Sequence, residues 1–152
     1  MEETTVNPYQ APESNLDRIA PTSKAGNFKR FSAWGVFGLT VITLGIYYIY
    51  WLYTRATIAN SIHDNKISPT LLKVFIGLAI ASFVTSFVDP SPLVAIINLS
   101  YFVVFLICLF KLKKRLEDIL AKNLSPVLTF FFSAIYLQYK INETIDNEKS
   151  TE

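Results

Sequence analysis

The chain has 152 residues, of which 51% are hydrophobic and 14% aromatic, while charged residues make up only 17%, well below the quarter expected of soluble domains. That length leaves room for one domain, and a formal net charge of +2 gives the whole chain no reason to seek nucleic acid. A single cysteine, Cys108 in an apolar run, excludes an internal disulfide and any multi-cysteine metal site.

The charges collect in the tails and in two short stretches between apolar runs, a segregation that marks an integral membrane protein. Residues 1–30 carry Pro8, Pro12 and Pro21 among Asn, Ser, Thr and Glu, with no amphipathic period. Such a segment buries too little surface to fold alone and reads as a disordered N-terminal tail. Glu2 and Glu3 stand where a signal peptide would have its basic region, so no cleavable leader is expected. Asn7 to Pro12 could dock on another protein as an extended peptide, although a flexible leader is the simpler reading.

The first apolar run, residues 31–53, has no charged residue. About 20 apolar residues in a helix span a bilayer core of about 30 Å. Trp34 lies near one end, and Tyr47, Tyr48, Tyr50, Trp51 and Tyr53 crowd the other, as suits headgroup level. The polar stretch 54–69 continues as helix to about Asn65, and Ser68-Pro69 opens the next helix. Residues 71–88 and 93–110 form two further runs, joined so tightly through Asp89, Pro90, Ser91 and Pro92 that they must make an antiparallel transmembrane hairpin. Gly77, Ala81 and Thr85 recur every four residues, a spacing that lets helices pack closely in lipid. Asn98 and Ser100 are the polar positions of the third run, fit either to bond helices together or to line a pore.

Between residues 111 and 122, Leu112, Leu116, Ile119 and Leu120 keep helical spacing while Lys111, Lys113, Lys114 and Arg115 occupy the other faces. That pattern predicts either an interfacial helix against anionic lipid headgroups or a solvated extension of the third run. A short C-terminal apolar helix, residues 126–141, follows; its apolar run, 127–137, is too short to span alone, so it is either a re-entrant or interfacial helix or a span completed by its less apolar flanks. Residues 143–152 read as a loose polar tail. The expected fold is all-α: a small membrane domain over residues 31–142 with a central hairpin and two flanking apolar helices.

Orientation poses a conflict. Placing the basic stretch inside puts the loop carrying Arg55 and Lys66 inside too, so a spanning first run would send Lys24, Lys29 and Arg30 outside, against the charge rule. A helix that re-enters at Gly45 removes the conflict, because glycine tolerates the break. Length favours a true span, and charge favours the re-entrant pair.

The stretch Ile42-Thr43-Leu44-Gly45-Ile46-Tyr47, followed by Tyr50-Trp51, with Tyr136, Gln138 and Asn142 near the end, resembles the membrane family called domain of unknown function 4234. The resemblance implies a multi-pass protein of a bacterial cytoplasmic membrane and supplies no reaction, ligand or catalytic residue. His63 and Asp64 are the only adjacent pair suited to acid–base work, and they read more simply as a helix-ending loop. One histidine cannot build a multi-imidazole zinc site. No ionisable residue lies deep in an apolar run, which argues against a proton-coupled transporter.

No enzyme activity, cofactor or metal is expected. The expected partners are the lipid bilayer with its anionic headgroups, and either a membrane protein or further copies of the chain. Three functions are open: a non-catalytic accessory or scaffold component, a lipid-sensing or membrane-shaping protein, and a small homo-oligomeric channel.

Overall fold

A computed structural model describes residues 24–87 and 90–150. The proline-bearing tail up to residue 23, Asp89 and the last two residues lie outside the described residues. After a short 3-10 turn, Lys24–Asn27, come five α-helices: α1 Ala33–Ile42, α2 Ile46–Ile62, α3 Pro69–Thr85, α4 Pro92–Leu120 and α5 Pro126–Lys149. No strand occurs among the described residues. Three helices begin at a Ser-Pro step, where proline costs no intrahelical bond. The hydroxyls of Ser91 and Ser125 also cap, accepting from Val94 N and Leu128 N.

The first apolar run is not one helix. It breaks at Thr43-Leu44-Gly45, where Leu44 (φ 51°) and Gly45 (φ 90°) both adopt left-handed backbone. Thr43 staples the break: its Oγ1 donates to Leu39 O at 2.7 Å and accepts from Tyr47 N at 2.9 Å. Helix α2 then returns beside α1, so that Arg55 Nη2 reaches Lys29 O at 3.1 Å. A continuous span over residues 31–53 is thereby corrected, because two successive left-handed residues cannot continue a right-handed helix.

Helices α3 and α4 pack antiparallel. Ser82 Oγ donates to Asn98 Oδ1 at 2.7 Å, and further along the Phe75 and Tyr101 rings stack at 6.0 Å. Helix α4 runs through the basic stretch without interruption, and Leu112, Leu116, Ile119 and Leu120 are all buried in the protein core. The amphipathic segment is therefore an extension of the third run, and its apolar face is covered by protein rather than lipid. Ala121, with φ 50°, ends it.

Helix α5 bends sharply at Ser133, where φ is 30° and ψ −107°. Ser125 N donates to Tyr136 Oη at 2.9 Å. In a straight helix those residues would stand about 16 Å apart, beyond the reach of a tyrosine side chain. The helix also continues to Lys149 and buries Thr144 and Ile145, so most of the expected polar tail is an ordered helical segment.

Two zones result. The core gathers around Leu52, Leu109, Leu112, Leu116, Leu137 and Ile141, in the parts of the helices that carry the charges. Large apolar side chains on α1, the break after it, the start of α2, the end of α3 and the residues just beyond, the first half of α4 and the start of α5 stay exposed, among them Leu44 at 82%, Phe87 at 78% and Phe131 at 73%.

Candidate functional site

Where α2 and the second leg of α5 meet the segment before α1, a polar cluster closes inside the core. Gln138 is fully buried and accepts at Oε1 from Trp51 Nε1 at 3.0 Å and from Arg55 Nη2 at 2.9 Å. Its Nε2 donates to Asn142 Oδ1 at 2.9 Å, and Asn142 Nδ2 donates to Phe31 O at 2.7 Å. One amide ladder thus ties α2, α5 and the chain entering α1. Outside it, Arg30 pairs with Asp146 at 3.0 Å.

Arg55 is 6% exposed. Both of its hydrogen bonds run from Nη2 to neutral carbonyl oxygens, of Lys29 and Gln138. Its Nε is buried with no partner, and the guanidinium carbon lies 5.9 Å from the centre of the Phe28 ring. A cleft of about 360 Å³ opens beside it, lined by Lys29, Phe31, Tyr47, Tyr50, Thr54 and Arg55 among others. Among the described residues no carboxylate lines this cleft.

The residues that carried the family resemblance come together here in two groups. Thr43, Leu44, Gly45, Ile46 and Tyr47 build the break and open α2. Trp51, Gln138 and Asn142 form the ladder, and Tyr136 holds the α5 bend through Ser125. Arg55, which the sequence presents only as the charge closing an apolar run, is the member that sequence reasoning missed. No local signal marked it, since its partners Lys29 O and Gln138 lie 26 and 83 residues away.

The other expected residues fare differently. Gly77 is exposed, and a Cβ there would meet nothing within 4 Å. Within one chain it packs against no helix, because α3 turns Leu72, Phe75 and Ala79 inward instead. Ala81 and Thr85 are half-buried, the Thr85 hydroxyl bonding back to Ala81 O at 2.9 Å. Asn98 does bond two helices, through Ser82.

On the basic segment Lys111 and Lys114 are exposed, while Lys113 pairs with Glu117 at 2.7 Å and Arg115 with Asp118 at 3.4 Å. Burial pushes the Glu117 carboxyl up, but the Lys113 hydrogen bond, the Leu124 N–H and the Lys113 and Lys114 charges together hold it below the usual value. Lys140 first, then Lys122, hold Glu143 low against the opposing effect of burial. His63 caps the end of α2 and faces Asp118 at 3.5 Å rather than Asp64, while its Nδ1 accepts from Asn65 N. Among the described residues no group of three or more His, Cys, Asp or Glu could hold a metal.

The family model described as "Domain of unknown function (DUF4234)" matches residues 31–147. The chain belongs to this family. The DUF4234 match begins at Phe31, whose carbonyl Asn142 grips. It runs to Asn147, so it takes in both backbone reversals and the whole ladder. No curated protein and no solved structure matches the chain.

Proposed function

We propose that this DUF4234 protein is a non-catalytic, multi-pass component of the cell membrane that shapes or senses one leaflet. In this reading α3 and the first half of α4 cross the bilayer as a hairpin, while α1–α2 and α5 fold back within the cytoplasmic leaflet. The observation that carries it is the pair of reversals at Gly45 and Ser133. Each returns an apolar segment to the zone that holds Lys29, Arg30, Arg55, Lys66 and the basic end of α4. All these cations then share one face, as positive-inside topology asks, and the conflict created by a spanning first run disappears.

Other features support it. Helix α4 is long and apolar enough to cross a membrane, and only 11% of an apolar 18-residue portion of it is buried, unlike the core helix of a soluble protein. At the Gly45 break the Thr43 hydroxyl and Thr40 O take up backbone groups, a requirement for non-helical backbone at membrane depth. Two folded-back helix pairs beside one hairpin add volume to a single leaflet, the arrangement that makes shallow insertions sensitive to curvature and lipid packing. An accessory or scaffold role is the second reading, favoured by a largely apolar groove of about 380 Å³ between α2 and α3, lined by Leu44, Ile49, Ile76 and Ile80 among others.

Topology is tested with single cysteines at Asn27, Lys66 and Ser91 in a Cys108→Ala background, probed with an impermeant thiol reagent. Asn27 and Lys66 are expected on one side and Ser91 on the other; opposite labelling of Asn27 and Lys66 overturns the folded-back arrangement. Reconstituted vesicles are then expected to narrow or tubulate, with preference for anionic lipid. Vesicles of unchanged shape and no lipid preference would leave the accessory role.

A further inference from the structure

One arginine differs from the other described arginines in its surroundings. Arg30 has Asp146 and Arg115 has Asp118 within 3.4 Å, yet the most buried of the three described arginines, Arg55, has no carboxylate partner among the described residues. A buried cation without a counter-charge is among the costliest arrangements in a protein. Its two carbonyl partners are neutral, and its Nε is buried without any. Phe28 contributes only the face of a ring.

The cleft beside Arg55 supplies room for the missing charge. Lys29, a second cationic residue, also lines the cleft, and Arg55 bonds its backbone carbonyl. Thr54, Tyr50 and Tyr47 of α2, together with Phe31, continue the lining toward the apolar zone. Cations at one end and aromatic surface at the other describe an amphipathic anion, in the orientation a lipid has in the cytoplasmic leaflet. A phosphate diester offers oxygens to the guanidinium fork and to the lysine.

We infer that the cleft between α2 and the segment 29–31 binds the headgroup phosphate of an anionic phospholipid, with Arg55 and Lys29 as its counter-charges. The site rests on the membrane reading above and differs from the basic stretch of α4. It also deepens that reading, because a headgroup bound here would couple lipid charge to the ladder that joins α2 to α5.

The test is native mass spectrometry of the full chain, purified and delipidated in detergent, then mixed with phosphatidylglycerol, phosphatidylcholine or inorganic phosphate. Phosphatidylglycerol is expected to be retained in preference to both others. Lys29→Gln removes a side chain whose backbone alone serves the ladder, so folding should survive. The loss of one cation near a headgroup, about 1 kcal/mol, predicts about fivefold weaker phosphatidylglycerol binding. Gln138→Glu places a carboxylate against Arg55 and should displace the lipid likewise, with an unchanged helical circular dichroism spectrum showing that the fold persists. Equal retention of phosphatidylcholine, or binding untouched by both variants, would overturn the site. Inorganic phosphate held as firmly as phosphatidylglycerol would overturn the lipid as its ligand. Binding in micelles does not depend on which helices span, so it fails or succeeds separately from cysteine mapping.

Discussion

Replacing Gln138 with leucine keeps the volume of the side chain and removes every polar atom from the centre of the ladder. Among the described residues Trp51 Nε1 loses its one hydrogen bond, and Arg55 Nη2 loses one of two. A buried donor left unsatisfied costs about 1–3 kcal/mol. Loss of a bond to a charged group costs about 1.5–3 kcal/mol. The apolar leucine recovers part of this, so a net destabilisation of about 3 kcal/mol is expected. For a chain of this size that lowers the melting temperature by about 10 °C. The assay is thermal melting in detergent followed by fluorescence of Trp51 in a Trp34→Phe background, which leaves a single tryptophan beside the mutated position. The same variant should blue-shift or quench that emission before melting, because the indole N–H has lost its acceptor. Melting within a degree or two of the parent would refute the ladder as the element that fastens α5 to α2.

Ala121 ends α4 in the left-handed region, so Ala121→Gly should stabilise the protein by about 0.5–1 kcal/mol, seen as a raised melting temperature; a fall would refute the cap. Gly45 has φ 90°, and Gly45→Ala should cost about 1–2 kcal/mol, read in the same melting experiment. Gly77→Ala puts a methyl group into open space and should be neutral or stabilising by up to about 1 kcal/mol; a destabilised or disassembled protein would restore Gly77 to a packing interface between chains. Glu117 and Glu143 are held below their ordinary value of 4.5. A carboxyl depressed on folding adds stability above its unfolded pKa and loses it as pH falls through the folded one. Melting temperature should therefore drop below about pH 4.5, and less steeply in a Lys140→Met protein.

Much of the secondary structure was legible because it depends on near neighbours. The steps Ser68-Pro69, Ser91-Pro92 and Ser125-Pro126 each open a helix where proline and a preceding serine belong. Thr43-Leu44-Gly45 offered a place to break, though length alone could not choose between span and break. Ser133 gave no such signal: neither glycine nor proline marks the bend, which is held by Tyr136 reaching back to Ser125. The end of α5 was misread for a related reason. Asn142, Glu143 and Asp146 look like a tail until Thr144 and Ile145 are seen buried and Asp146 is seen paired with Arg30.

The sequence by itself determined that the chain is helical, that its apolar and charged segments are separated along the chain, and where most helices start, since those properties are set by residues within one or two turns. Only the tertiary structure decided that Trp51 and Arg55 meet Gln138, 87 and 83 residues away, and that Arg55 lacks a carboxylate among the described residues. Hydrogen bonds of that separation leave no periodic trace in the chain. They become necessary only when folding removes water from each partner, and that desolvation makes the choice of partner a property of the packed structure.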